Sequence, residues 1–204
     1  FGLITLVNCS SNKIVNSKRP PNFILILSDD QGWNGTSVQM MDNLPSSKSD
    51  YHNTPNLERL SNNGMRFSSA YASAPVCSPS RYSIQFGQTP ARIKMIRVGM
   101  NTSHINHQSS HTIPKLLKKI NPNYKTAHFG KWGIDVHPSI LGYDESDGMT
   151  KNKDGEFNPK SNRKQCQNNI DIYPKKIFST TKKAIDFINS QANSKTPFFL
   201  QISH

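Results

Sequence analysis

Phe23-Ile24-Leu25-Ile26-Leu27-Ser28-Asp29-Asp30 is the stretch that decides the fold. Five apolar residues run without a polar alternate, which suits a strand buried on both faces of a parallel sheet. The run stops abruptly at two adjacent carboxylates. In open α/β sheets, binding sites form at the carboxyl ends of the strands, so Asp29 and Asp30 stand where a site is expected. A turn or a helix cap is the bland alternative for such a pair.

The chain on either side alternates between strand and helix signals. Thr54-Pro55-Asn56-Leu57 reads as a helix start, with Thr as the cap, Pro at the first helical position and Gly64 as the close. Residues 65–72 read as a short strand. Ser78-Pro79 opens a helix that runs to about Phe86. Thr112 to Ile120 reads as a helix with Ile113, Leu116, Leu117 and Ile120 on one face. Lys125 to Lys131 reads as a strand, 142–176 as a long loop, Phe178 to Asn193 as a helix and 197–203 as a strand. This order predicts an α/β fold with a mostly parallel sheet. No internal repeat is visible.

The 204 residues suffice for one domain with a sizeable core, although the hydrophobic share of 34% is low and long polar loops are expected. Twenty-five Lys and Arg against 13 Asp and Glu give a net charge of +12. Such a charge attracts polyanions: nucleic acid, an anionic membrane or a sulfated glycan. The charge alone does not choose among them. No recognition motif and no interleaving of aromatic with basic residues supports nucleic acid. Both ends read as cut. Phe1 to Val7 is too short to span a bilayer and reads as the tail of a signal peptide. Leu6-Val7-Asn8-Cys9 resembles a lipoprotein box, with Cys9 as the lipidated residue; a plain secretory signal or a chance Cys is the alternative. Residues 1–21 are then a signal or lipoprotein remnant and linker, and 22–204 the catalytic part. The expected location is the periplasm or the outer-membrane or cell surface of a bacterium. A lipid on Cys9 is the only membrane attachment expected. With Cys9, Cys77 and Cys166 as the only cysteines, no disulfide framework is expected.

The chemistry centres on Cys77-Ser78-Pro79-Ser80-Arg81. A Cys at a helix start sits near free N–H groups and the positive end of the helix dipole. An ordinary buried Cys is the bland alternative. The pattern Cys-x-Pro-x-Arg resembles the motif of the formylglycine-dependent sulfatases, in which that Cys is oxidised to an aldehyde. The stretch from Thr54-Pro55-Asn56-Leu57 through Gly64-Met65-Arg66-Phe67, Tyr71 and Pro75 is similar to the same family. So is Tyr124-Lys125-Thr126-Ala127-His128-Phe129-Gly130-Lys131-Trp132, which matches its second signature. The strand ending at Asp29-Asp30 matches its first metal ligands. These motifs occur in the family's order across residues 22–133.

The resemblance implies an alkaline-phosphatase-like sandwich, truncated here, and hydrolysis of sulfate esters. A hydrated aldehyde at position 77 carries two hydroxyls. One attacks sulfur, and the second loses its proton so that the carbonyl re-forms and sulfate is expelled; a plain Ser lacks that exit. The resemblance makes Asp29, Asp30 and the modified Cys77 metal ligands. Ca²⁺ is the family's preference and Mg²⁺ the alternative; both are hard cations that take oxygen ligands. By the same resemblance, Arg81 holds the hydrate and the charge beside the metal, and Lys131 binds the sulfate oxygens and the nucleophile. A formylglycine-generating or an anaerobic sulfatase-maturing enzyme is the implied partner, and a sulfated polysaccharide or oligosaccharide the implied substrate.

The pattern breaks at Gly133. The family continues Gly-Lys-Trp-His, with a His that contacts the nucleophile, where this chain has Gly130-Lys131-Trp132-Gly133. His137 could fold back to substitute. His204 resembles a neighbour of the family's leaving-group His rather than that residue. His104, His107 and His111 are expected to be solvated loop residues, and His128 structural. The acidic loop from Gly142 to Gly148 receives no role. The later metal ligands and a second Lys are expected beyond residue 204. Two other readings stand: a phosphonate or phosphate monoester hydrolase sharing the motif, and a catalytically impaired homologue that binds sulfated glycan.

Overall fold

The computed structural model describes residues 20–109, 111–151 and 177–204. Cys9, the linker that follows it up to residue 19, and Cys166 lie outside them. Four strands form one parallel sheet in the order β1-β4-β2-β3, with β1 at Phe23–Leu27, β2 at Lys125–Gly130, β3 at Glu145–Ser146 and β4 at Phe198–Ser203. The helices are α1 (Pro55–Asn62), α2 (Cys77–Phe86), α3 (Ile113–Ile120) and α4 (Ile177–Ser194). The expected α/β class and parallel sheet are observed.

The strand buried on both faces is β4, not β1. It pairs with β1 from Phe23↔Phe199 to Leu27↔Ser203, and with β2 from Lys125↔Phe198 to Gly130↔Ser203. Successive side chains leave a strand on opposite faces. Phe198, Leu200 and Ile202 therefore join Ala127, Phe129, Ala184 and Phe187 in a core against α4. Phe199 enters a second core with Tyr82, Phe86, Met95, Trp132 and Tyr143. The expectation for β1 is corrected by its position. It is the edge strand, and Ile24 and Ile26 are 48% and 58% exposed, with nothing among the described residues over them. Leu25, on the other face, packs against the second core.

The remaining elements follow the sequence with local corrections. Residues 65–72 form no strand. Thr54 stands at the cap position of α1, but its side chain makes no capping bond; its Oγ1 accepts from the Ser37 backbone N at 2.9 Å. On α3, Ile113 and Leu117 face the core, while Leu116 and Ile120 are 40% and 80% exposed, so the apolar stripe is only half used. The loop beginning at residue 142 contains β3, which pairs with β2 at Ala127↔Glu145.

A buried polar network ties α2 to the sheet. Gln201, in the middle of β4, accepts from Gln85 of α2 at 2.7 Å and from the Tyr143 hydroxyl at 2.8 Å. Burial pushes the Tyr143 phenol well above its ordinary pKa, so it remains a donor. The chain leaves β2 through Gly130, at φ 93, where an added Cβ would come within 2.0 Å of the Ser203 carbonyl oxygen. Gly130→Ala should cost at least about 2 kcal/mol, from overlap and left-handed backbone strain together. Denaturant unfolding will show this as a lower midpoint.

His128 is structural, as expected. It is fully buried with Nε2 3.2 Å from Ser203 Oγ, and Nδ1 has no partner. Burial, reinforced by the charge of Arg81, lowers its pKa from 6.5 to about 3. The folded state thus holds His128 neutral where the unfolded chain takes a proton. Its contribution to stability is complete above pH 6.5 and is lost as pH falls from there toward 3. The expected slope is up to about 1.4 kcal/mol per pH unit. In unfolding titrations across this range, His128→Gln should show a shallower acid slope.

Candidate active site

The carboxyl ends of β1, β2 and β4 are locked together by backbone bonds that continue past the strands. His204 N donates to Leu27 O at 3.0 Å, Asp29 N to His204 O at 3.1 Å, and Lys131 N to Ser203 O at 3.0 Å. Asp29 and Lys131 are therefore fixed on adjacent chain segments, 102 residues apart in sequence. Asp30 turns the chain with a left-handed φ of 59.

Opposite them, α2 begins at Cys77. Val76, extended at the cap position, gives no side-chain capping bond, so the helix presents uncapped first-turn amides beside the thiol. One turn along the helix, Arg81 faces the same side and is 2% exposed. Its Nη1 donates to the Lys131 carbonyl oxygen, and its Nη2 lies 3.3 Å from Asp29 Oδ1. Nε meets no hydrogen-bond acceptor among the described residues, and Nη2 meets Asp29 as an ion pair without hydrogen-bond geometry. Lys131 Nζ donates both to Asp29 Oδ2 and to Cys77 Sγ, the latter at 3.1 Å. All five residues singled out in the sequence thus converge: Asp29, Asp30, Cys77, Arg81 and Lys131.

Asp29 is the common anion of this cluster. Burial alone would raise its pKa. The hydrogen bond from Lys131 and the charges of Arg81 and Lys131 outweigh burial and hold the carboxyl below its ordinary value of 3.8. One ligand atom from each of Asp29, Asp30 and Cys77 lies within 4.8 Å of the others. Two carboxylates fit a hard divalent cation; a thiol sulfur does not. An oxygen in place of Sγ would make the three-residue set consistent with such a cation. Arg81 Nε is a buried donor with no acceptor among the described residues, while Nη2 is ion-paired with Asp29.

Gly133 is not an empty place left by a lost side chain. It has φ 66, and an added Cβ would lie 2.9 Å from Arg81 Cδ. Arg81 therefore packs its aliphatic stem against the bare glycine. His137 does not fold back as a substitute: its Nδ1 accepts from Ser139 N at 3.3 Å and caps the short turn Pro138–Leu141. The His204 side chain lies 3.5 Å from Thr181 Oγ1 of α4, and burial lowers its pKa. The expectation of solvated loop histidines is corrected for one of the three, His107, which is half-buried; His104 is an exposed loop residue, as expected. His104 Nε2 lies 2.9 Å from Ile93 O, and His107 Nε2 lies 3.2 Å from the Tyr82 hydroxyl, with its ring against Phe86. His111 is exposed. No metal-ligand grouping among the described residues includes any of them.

The sequence reading missed the clamp around Lys131. Asp147 Oδ2 accepts from Gly130 N at 2.9 Å, Thr150 Oγ1 accepts from Trp132 N at 3.0 Å, and Thr150 O accepts from Gly133 N at 3.1 Å. The acidic loop thus has a structural role. Its signal in the sequence, Asp and Thr beside turn glycines, is common to many loops.

The Sulfatase family model matches residues 21–204. The mouse N-acetylgalactosamine-6-sulfatase is 30% identical over 223 residues, covering 89% of this chain and 39% of that protein. Human arylsulfatase G is 31% identical over 154 residues, covering 72% of this chain and 26% of its own length. The chain therefore spans two fifths or less of these relatives. Among solved structures, Ps i-CgsB aligns with a TM-score of 0.61 at 26% identity, over 90% of this chain and 44% of that one. BT4656, in complex with its substrate D-glucosamine-2-N,6-O-disulfate, aligns with a TM-score of 0.62 at 25% identity, over 90% and 34%. The sheet and its helices are those of the alkaline-phosphatase-like fold of these neighbours.

Gly133→Ala and Gly133→His should both lower the denaturation midpoint, because the left-handed backbone and the Arg81 stem both oppose a side chain there. An unchanged midpoint in denaturant unfolding of both variants would show that the position is open to a side chain.

Proposed function

This chain belongs to the sulfatase family, and on that premise we propose that the protein hydrolyses sulfate esters of carbohydrates with position 77 as its nucleophile. One observation carries the reading. Lys131 Nζ stands 3.1 Å from Cys77 Sγ beside Asp29 and Asp30, and buried Arg81 pairs with Asp29 in the same cluster. Two cations beside the residue at position 77 suit an oxyanion with a nucleophile at its edge.

In the reading proposed, Cys77 is oxidised to formylglycine by a generating or an anaerobic maturing enzyme, and its hydrate supplies one hydroxyl for attack on sulfur and a second for release. The divalent cation, which we assign as Ca²⁺, would be held by Asp29, Asp30 and the oxygen at position 77, and would neutralise charge on the sulfuryl oxygens. The chain's own groups do the rest. Lys131 lies close enough to favour the ionised form of a position 77 hydroxyl and to take up a sulfate oxygen. Arg81 brings its guanidinium charge to a second oxygen, as a guanidinium suits such an anion. The uncapped start of α2 adds the positive end of a helix dipole on the same side. Asp29 fixes both cations, so little reorganisation is needed when negative charge develops.

Support for a sugar substrate comes from the relatives, which include an N-acetylgalactosamine-6-sulfatase and a neighbour solved with a disulfated glucosamine. Export, with a lipid on Cys9 as the membrane attachment, completes the proposal. Among the described residues no helix is long and apolar enough to cross a membrane.

Two measurements test the proposal. After expression with a maturing enzyme, mass spectrometry should find the peptide containing Cys77 with an aldehyde in place of the thiol. The intact protein should then hydrolyse 4-nitrophenyl sulfate faster than 4-nitrophenyl phosphate. Cys77→Ser should release at most one alcohol per enzyme and then stall, because a single hydroxyl has no second exit. An unmodified thiol together with full turnover would sink the mechanism. Glycan binding with no turnover would favour the impaired homologue, and a preference for phosphate the phosphatase reading.

A further inference from the structure

At the end of α2 remote from Cys77 lies a cavity of about 390 Å³, within the size range of small-ligand sites. Phe86, on its wall, is nine residues from Cys77, or about 13 Å of helix. None of the five site residues lines it.

Its chemistry is cationic and amide-rich. Arg92 and Lys94 line it and are exposed, while Ile93 and Met95 beside them are buried and anchor the segment in the core. The segment is wound by Ile93 N to Thr89 O, Lys94 N to Ala91 O and Met95 N to Pro90 O, at 2.9–3.2 Å. This winding holds Lys94 at φ 52, a conformation that is strained for a lysine and open to glycine. The His104 ring, also on the wall, bonds Ile93 O at 2.9 Å and fixes the segment from the other side. Six ion pairs are formed among the described residues, and none engages Arg92 or Lys94. Two like charges are thus brought to one cavity, on a strained backbone, with no acidic partner among the described residues. Gln88 adds an amide that both donates and accepts, and Asn106, whose Oδ1 accepts from Gln108 N at 3.1 Å, adds an amide donor, as sugar hydroxyls require.

We propose that this cavity is a subsite for a sulfated sugar residue distant from the ester being cleaved, with Arg92 and Lys94 holding its sulfate and Gln88 and Asn106 its hydroxyls. The inference rests on the reading of the substrate as a sulfated carbohydrate and extends it to a chain of several sugars.

The test measures binding and turnover separately. Calorimetry on intact Cys77→Ala protein would use a chondroitin 6-sulfate hexasaccharide, its desulfated counterpart and sodium sulfate. Arg92→Ala/Lys94→Ala should weaken the sulfated hexasaccharide at least tenfold, and the desulfated one should bind no more tightly than it does to that variant. Lys94→Gly should also weaken binding while keeping or raising the thermal midpoint, since glycine accepts the left-handed backbone; lost binding then cannot be ascribed to misfolding. With Cys77 restored and matured, kcat/KM on 4-nitrophenyl sulfate should be unchanged in both variants. Equal binding of the desulfated sugar, binding unaffected by the double variant, or displacement by sodium sulfate as effective as by the hexasaccharide would each overturn the subsite. Absence of aryl sulfate turnover in every protein, wild type included, would overturn the sulfatase reading and leave the calorimetric result to decide the subsite.

Discussion

The pairing of β4 with both β1 and β2 is the constraint on which the rest depends. Each side of the cluster arrives on a different segment: Asp29 after β1, Lys131 after β2 and Arg81 on α2. β4 and its end reach all three. Its end binds Lys131 N through Ser203 O and reaches Asp29 through His204, and its Gln201 holds α2 through Gln85. Parallel pairing in register brings the carboxyl ends level, so the two carboxylates and the lysine emerge at one height. The site is thus a product of sheet order, and the order is set by the last strand of the chain inserting between the first two.

Insertion also explains the demands made on single residues. β4 is buried on both faces, so its side chains must serve two cores in alternation. A polar residue there must be satisfied internally, and Gln201 is, by a glutamine and a tyrosine. Close approach of β2 at its end leaves no space for a Cβ at position 130. Three residues on, the same shortage of space recurs at position 133, where the Arg81 stem lies. The two glycines bracket Lys131-Trp132 and let that short segment pass between β4 and α2.

What could be read in the sequence follows from how local each signal is. The helix at Cys77 and the strands at 23, 125 and 198 were legible because a run of four to ten residues decides them. The five residues of the site were legible because a motif names them; distance in space was never computed from the chain. Burial was less legible. The apolar runs of β1 and β4 look alike, and only strand order makes one the edge and the other the centre. Leu116 and Ile120 keep helical spacing yet remain exposed for the same reason. The roles of Asp147 and Thr150 were invisible because they hold backbone groups, which any sequence supplies. Gly133 was legible as a departure but not as a fit, since its neighbour Arg81 is 52 residues away.

Charge in this protein is divided between two tasks. At the site, Asp29 and Asp30 face Lys131 and Arg81, two negative groups against two positive ones, so the cluster is formally balanced before any ligand arrives. The net +12 must therefore reside elsewhere, on cations such as Arg92 and Lys94 that form no ion pair among the described residues. Balanced charges a few ångströms apart cancel at long range, whereas unbalanced surface charges act over about a Debye length of roughly 8–10 Å at ordinary salt. On the proposed function, attraction of a polyanion and chemistry on one of its groups fall to different residues. The first should weaken with salt. The second, built from partly buried groups on a fixed backbone, is screened much less.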